Sequence, residues 1–454
     1  MNPMRILLVV LLHLVVLLPL VAATAGAQKP PVNAPEAPPS SPPEGWPFWG
    51  GPRHDFTSTS TGLANEWPKA GPRRLWSRAL GDGYSPIAEQ DGVLYTAYRR
   101  GDKDVVIALE AETGNTLWEH EYAAPFRNAY SEAVGPGPYA MPQIVGDRVI
   151  SASGSGQIHS LDKKTGRPVW SHDVYREFGG TRLEYGYSCH ALPYKDTLIY
   201  LVGGKAPLFG FGRGSAVVAL RRADGAVAWK NLGFVNAHSS PLLIDVGGEP
   251  QVVALLADEV IGFSPEDGAL RWRHPHRTDF GLAIATPLWA DENRLFVSSA
   301  YGSGTRVLEL SRNGVDTSVK QLWHEARLQL HFGSAIRVGE HVYFSSGHRG
   351  PAFVSAVELQ TGRIAWQSRE FAKAQLLLAD GKLILLDEDG TLALAKATPE
   401  RFQVLSRVSL LKRLAWTPPT LVGTHLFVRD RAEIMALELG PAPAKAAPLP
   451  LRKR

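Results

Sequence analysis

The stretch ALEAETGNTLW, residues 108–118, returns as SLDKKTGRPVW at 160–170, ALRRADGAVAW at 219–229 and AVELQTGRIAW at 356–366. Tryptophans keep the same beat: Trp76, Trp118, Trp170, Trp229, Trp272, Trp323 and Trp366 follow one another at steps of roughly 40 to 60 residues, the period of propeller blades. A chain of 454 residues would otherwise suggest two or three domains, and the repeat cancels that count. Within each unit a turn precedes a β-rich run such as GVLYTAY, DRVISAS, DTLIYLV, NRLFVSS, EHVYFSS or GKLILLD, and an alternating strand then closes on Gly-x-x-x-Trp. Long helical periodicity is absent.

The repeated letters have a physical reading. Ile107 and Leu109 alternate with smaller or polar neighbours, which predicts a strand buried on one face. Thr113-Gly114 is a hairpin turn in which glycine supplies positive φ, and Leu117-Trp118 begins the returning strand. Glycine keeps that place at Gly166, Gly225, Gly268, Gly314 and Gly362. A tryptophan at one fixed point of each unit can lay its face against the next unit and fill the wedge between two sheets, so these seven indoles are assigned to blade docking, not to chemistry. Four-stranded units with two faces each must stack, and a closed ring removes the free ends. Six units end in Trp118 through Trp366, a degenerate unit follows around GTLALAKATPERFQVLSRVSL, and a last begins at AWTPPT. That last unit lacks an outer strand, while GPRRLWSRAL around Trp76 is an outer strand with nothing before it. The reading is an all-β, eight-bladed propeller of four-stranded antiparallel blades, closed by the N-terminal strand.

The ends are of another kind. Residues 1–27 hold one early cation, a leucine-valine run and Ala25-Gly26-Ala27, the pattern of a signal peptide cleaved before Gln28; the alternative is a retained anchor, against which His13 and Pro19 interrupt the run. Residues 28–45 form a proline-rich linker, 46–440 the propeller, and 441–454 a disordered basic tail. Six of the 48 basic and two of the 44 acidic residues lie in these ends, which leaves 42 of each in the body and no electrostatic footprint for nucleic acid. The single Cys189 permits no intramolecular disulfide, although an exported chain meets an oxidising compartment. The expected location is the bacterial periplasm or the medium, with no membrane span after cleavage, and the expected state is a monomer.

These residues resemble the PQQ-like repeat family, whose units end A-L-D-x-x-T-G-x-x-x-W and stack into eight-bladed propellers with docked tryptophans. The resemblance runs from Trp46 to Leu439. It extends to WPFWGGPRHDFTSTSTGLANEWPKAGPRRLW and SSPLLIDVGGEPQVVALLADEVIGFSPEDGALRW, which resemble the secreted bacterial branch of PQQ-binding-like proteins. The family contains both quinone-dependent alcohol dehydrogenases and non-enzymatic scaffolds of outer-membrane barrel assembly. The resemblance implies, for the enzyme branch, pyrroloquinoline quinone and calcium at the axial channel, two adjacent cysteines against the quinone, and acidic residues as metal ligands and base. Cys189 stands alone between Ser188 and His190, and there is no C-x-x-C-H haem site. The lipid-bearing cysteine of the scaffold branch is also missing.

A second repeated mark precedes the innermost strands: YSPIA, YAMPQ, HALPY, HSSPL, IATPL and WTPPT. Innermost strands line the axis of a propeller, so residues beside these prolines should crowd the channel mouth. Tyr84, Tyr139, Tyr187, His190, His238, Thr286, His331 and Trp416 are the binding set this predicts. The bland reading is a rim that faces water and holds loops. His190, His238 and His331 come from different blades and could hold a metal only by converging; single histidines near strand starts are ordinarily hydrogen-bonded, so no metal site is assigned. His274-Pro275-His276 is read as an exposed turn after a blade-closing Trp. LFGFGRGS at 208–215 precedes a strand, not a helix, and is a hairpin tip instead of a phosphate loop. Glu110 and Glu112 flank a turn and form a solvated face. No catalytic residue is assigned. The sequence favours an exported binding and scaffolding propeller that engages a protein or envelope polymer through loops and blade edges, with no cofactor. The alternative is a PQQ- and calcium-dependent alcohol or sugar dehydrogenase.

Overall fold

A computed structural model describes residues 45–126, 134–204, 216–290, 293–314, 316–348 and 351–441. The expected signal peptide, the expected linker before Gly45, the stretch at 208–215 and nearly all of the expected basic tail lie outside the described residues. Among the described residues thirty-two strands form eight four-stranded antiparallel sheets. Blades 1 to 7 are each a consecutive run of four strands, at 88–123, 143–173, 192–231, 242–275, 288–325, 330–368 and 374–409. Blade 8 takes three strands from 420–438, and its outermost is Arg73–Ala79, which pairs antiparallel with Glu433–Glu438 and sets Trp76 opposite Ala436. The ring is thereby closed by the N-terminal strand. One helix among the named elements, Val174–Phe178, follows blade 2 and is capped by Asp173.

The middle strands of the blades are buried on both faces. Residues 105–109 are all 0% exposed, where alternation at Ile107 and Leu109 predicts one buried face. Stacking explains the difference, because each blade is covered on either side by its neighbours. Alternation survives in outermost strands such as Thr116–Ala123, which have an uncovered edge, and in the innermost strand Leu242–Val246 of blade 4.

In every blade the pairing of the third and fourth strands slips at one place, and in seven of the eight the slip carries a tryptophan. In blade 1, Ala108 faces Trp118 while Leu109 faces Thr116. A small residue opposite the indole, such as Ala108, Ser160, Ala219 or Ala356, leaves it room to lie over the strand and reach the next blade. The indole N–H of Trp76 donates to Ala111 O at 2.8 Å, that of Trp118 to Lys163 O at 3.1 Å and that of Trp170 to Arg222 O at 3.0 Å. Trp323 reaches Leu359 O at 2.8 Å and Trp366 reaches Thr398 O at 3.0 Å. Each acceptor lies in the hairpin of the following blade. The turn glycine there has two reasons to be glycine: Gly166 has φ +68°, and a Cβ on it would sit 2.5 Å from the Trp118 ring. Gly114, Gly225, Gly268 and Gly362 meet Trp76, Trp170, Trp229 and Trp323 in the same way.

Two seams depart from the pattern. Trp272 faces Gly262, folds over its own blade and donates to Gln251 Oε1 at 2.8 Å. The expected partner Gly314 instead sits at the end of a long hairpin, where a Cβ would meet nothing within 4 Å, and this seam is tied by Gln251 Nε2 donating to Thr317 Oγ1 at 2.7 Å. Blade 7 has Ser406 at the tryptophan position. There the N-terminal segment supplies Trp67, 8% exposed, whose backbone N–H donates to Ser406 Oγ at 2.8 Å. The same segment reaches blade 8 through Ala64 N–H to Leu439 O at 2.8 Å.

The closing seam has its own clasp. Arg429 of blade 8 is 0% exposed, and its guanidinium donates to Thr96 Oγ1 at 2.9 Å, Ala97 O at 2.7 Å and Gly83 O at 3.0 Å, all in or before blade 1. Burial lowers its pKa to about 10, and the surrounding carbonyls keep it satisfied as a cation.

Two stability outcomes follow from these contacts. Gly166→Ala should cost about 1–3 kcal/mol more than Gly314→Ala in denaturant unfolding, because both share positive φ but only the first meets an indole. Equal losses would mean that the indole is not confined. Arg429→Met should lose about 3–5 kcal/mol, since it strands several buried carbonyls at the one seam joined by distant parts of the chain.

An aromatic cavity on the propeller axis as the candidate site

The segment 46–58 crosses the axis before it reaches the outer strand. Trp46 exchanges backbone hydrogen bonds with Glu89 at 2.8 and 3.1 Å, Pro47 O accepts from Ile144 N–H at 2.9 Å, and Phe56 O accepts from Leu378 N–H at 3.0 Å. These partners lie on the innermost strands of blades 1, 2 and 7. Between them Trp49 donates through its indole N–H to Thr286 Oγ1 at 2.9 Å and stacks on His190 at 4.7 Å. The chain therefore stoppers its own channel, and Trp49 lines the cavity of about 240 Å³ that remains.

All eight blades or their leading loops contribute to that cavity. Aromatic rings form an arc around it: Tyr139 stacks on Tyr84 at 5.9 Å, Tyr84 on Trp416 at 5.0 Å, and Phe332 meets Trp416 at 5.1 Å. His331 continues the arc to Phe332 at 5.0 Å and to Tyr301 at 5.3 Å. Of the eight residues proposed from the sequence, Tyr84, Tyr139, His190, His238, Thr286, His331 and Trp416 line this one cavity. Tyr187 does not. It is 0% exposed and donates its hydroxyl to Leu201 O at 3.0 Å, because Ser188 and His190 take the inward side of the extended chain and Tyr187 and Cys189 the other. The Cys189 thiol is likewise buried, donates to Ala237 O at 3.3 Å, and is pushed up to a pKa of about 12 by desolvation.

The proline-marked loops have a structural task as well. Ser85 Oγ donates to Ala140 O at 2.8 Å, Ser239 Oγ to Ala285 O at 2.9 Å and Thr417 Oγ1 to Tyr84 O at 2.9 Å, each linking one blade to the next. His190 belongs to this ring of links: its Nε2 accepts from Met141 N–H at 2.9 Å, so Nδ1 carries the proton toward Ser240 Oγ at 2.6 Å. His238 Nδ1 lies 3.1 Å from Ser188 Oγ, and His331 Nε2 lies 2.8 Å from Tyr301 Oη. The three imidazoles are occupied separately, and among the described residues no group of three His, Cys, Asp or Glu could hold a metal. His276 also differs from expectation. It is 0% exposed with Nε2 3.0 Å from Ser299 Oγ, because the chain turns inward after Pro275.

Electrostatically the cavity is bare. Its described lining consists of aromatic rings, imidazoles, hydroxyls, the Gln375 amide and aliphatic groups. The nearest cations sit over the rings and are already paired, Arg431 with Asp82 at 2.7 Å and Lys373 with Glu388 at 3.1 Å. A quinone bearing carboxylates, with calcium beside it, needs cationic side chains and carboxylates in the wall. The described lining supplies neither, and Cys189 faces away, so these residues do not fit that cofactor. Sequence reading missed Trp49, Tyr185, Tyr301, Phe332 and Gln375. Blades 6 and 7 lack the proline mark, which is why Phe332 and Gln375 went unseen, and nothing in the local sequence places Trp49 on the axis.

Burial lowers His190 to about 3, His238 to about 4 and His331 to about 3, against an ordinary value near 6.5. The unfolded chain takes up these protons first as pH falls, so stability is complete above about pH 6.5 and is lost progressively toward about pH 3. The melting temperature should therefore drop between about pH 7.5 and about pH 5, with a shallower slope in His190→Gln. A melting temperature flat over that interval would contradict the buried neutral imidazoles.

The family model described as outer membrane protein assembly factor BamB matches residues 68–230 and 102–368, together well over half of the chain. The BamB of Alteromonas naphthalenivorans is 26% identical over 377 residues, covering 79% of this chain and 73% of that protein. Among solved structures, BamB from Moraxella catarrhalis superposes with a TM-score of 0.56 at 18% identity, over 81% of this chain and 99% of that one. The quinohemoprotein alcohol dehydrogenase from Comamonas testosteroni gives 0.62 at 11% identity, over 89% and 82%. At such identities both structural likenesses speak to the propeller alone. The matched repeats, the eight closed blades and the docked indoles together make this chain a member of the PQQ-like repeat family of the outer membrane protein assembly factor BamB.

Proposed function

We propose that the protein is an exported, non-enzymatic propeller of the bacterial cell envelope that acts as a monomer and engages a protein or envelope polymer, in the manner of an assembly factor. The observation that carries this reading over quinone chemistry is the cavity wall, which in its described part offers no carboxylate for a metal or a base and no free cation for a quinone. Family membership supports it from the other side. The surface for such a partner is the rim of outermost strands. Their outer edges are unpaired within the blades, and they expose Leu117 at 53%, Val169 at 42% and Ile364 at 40% beside the docked indoles. Main-chain groups on an open strand edge and isolated apolar contacts beside it suit an extended or strand-adding partner.

Two measurements test this reading. Quinone with calcium should leave the melting temperature of the purified chain unchanged and support no dye reduction; a concentration-dependent rise or turnover would return the dehydrogenase reading to first place. A photo-crosslinker at Leu117 or Val169 should capture one defined envelope component in cells. Leu117→Asp should weaken that capture about tenfold or more at unchanged melting temperature. Capture at the cavity mouth and not at the blade edges would overturn the choice of surface.

A further inference from the structure

The axial cavity has unmet hydrogen-bonding capacity that the scaffold reading does not use. His238 Nε2, His331 Nδ1 and Gln375 Oε1 are buried atoms on cavity-lining residues and have no hydrogen-bond partner among the described residues. Gln375 is 2% exposed and His238 7%. The Gln375 amide is held by its own donors, Nε2 to Trp416 O at 3.0 Å and to Phe332 O at 3.4 Å, so its oxygen is left as an acceptor. Buried polar atoms of this kind are completed by water in an open cavity, or by a ligand group that displaces it.

The walls narrow the chemistry. A volume of about 240 Å³ lies just below the range of drug-sized pockets and suits one or two fused rings. Stacked side chains, Tyr84 on Trp416 and Trp416 against Phe332, present flat π surfaces. An anion would find no cationic side chain in the described lining. A cation would compete with charges already over the same rings, since Arg431 lies 5.8 Å from the centre of Tyr84 and Lys373 lies 5.2 Å from Phe332 and 5.9 Å from Trp416. A sugar would set many hydroxyls against a wall whose own hydroxyls are partly engaged already, Tyr139 with Gly135 O at 2.7 Å and Thr286 with the Trp49 indole, and each one left unpaired would be desolvated at a cost.

We infer that this cavity is a binding site for an uncharged one- or two-ring aromatic molecule carrying N–H or O–H donors, of phenol or indole type. Tyr84, Trp416 and Phe332 stack on the ring, and Gln375 Oε1 with His238 accepts the donors. Trp49, fixed by Thr286, closes the inner end. This binding is independent of the partner at the blade edges, so either assignment can fail without the other.

Calorimetric titration of the whole exported chain with indole, 4-methylphenol and toluene tests the inference. Indole and 4-methylphenol should saturate a single site, and toluene, which stacks but donates nothing, should bind about tenfold more weakly. His238→Phe and Gln375→Leu should each remove most of the preference for 4-methylphenol over toluene. Because Gln375→Leu also strands two carbonyls, Ile284→Trp provides a second route: it fills the cavity without touching a hydrogen bond and should abolish binding at an unchanged melting temperature. Equal affinity for toluene and 4-methylphenol, tighter binding of benzyltrimethylammonium or N-acetylglucosamine, full binding by the Ile284→Trp variant, or no saturation below about 5 mM would each overturn the assignment.

Discussion

Everything in this propeller rests on indoles wedged between neighbouring sheets. A twisted four-stranded sheet cannot bury both faces alone, and two such sheets splay apart toward their outer edges. The slip at the tryptophan swings its ring into that gap, and a glycine in the next hairpin lets it lie flat, as Gly166 does for Trp118. The indole N–H is satisfied by a carbonyl of the same hairpin, so a large apolar surface is buried with no polar cost. Where the device is missing the molecule replaces it: Trp67 from the N-terminal segment serves the seam after blade 7, and a long hairpin serves the seam after blade 4.

Closing the ring has a consequence at the axis. Eight leading loops are brought to one place, and their hydroxyls and the His190 imidazole link blade to blade through backbone partners. Residues that satisfy each other in this way are structural first, which explains why His190 is neutral, doubly bonded and stacked instead of poised for chemistry. The cavity above the stopper inherits its character from what is left over: ring faces and a few unanswered polar atoms. Charges that approach it are held outside by their own counter-ions, Arg431 by Asp82 and Lys373 by Glu388.

The sequence was most legible where one contact repeats. Gly114, Gly166, Gly225 and Gly362 could be paired with a tryptophan by spacing alone, but Gly314 shared the spacing and not the contact, because Gly262 draws Trp272 onto its own blade. The proline marks led to Tyr84, Tyr139, His190, His238, Thr286 and Trp416, six residues that line the cavity, since a proline fixes the chain just before an innermost strand. They failed at Tyr187 because an extended chain alternates sides, and a one-residue choice of side is invisible without the partner strand. Burial on both faces of the middle strands was missed for a related reason: alternation describes a single sheet, and the second cover comes from the stack.

By itself the sequence determined the architecture: all-β units, their number, the docking role of the indoles and the closure by the strand around Trp76. Those are fixed by local period, turn chemistry and a mismatch between the two ends that only pairing resolves. Tertiary structure alone decided what occupies the axis. Trp49 and Gln375 are 326 positions apart in the chain and meet only because the ring closes and the segment 46–58 is threaded across it. No local pattern encodes such a meeting, because its energy is realised only when every blade is already in place.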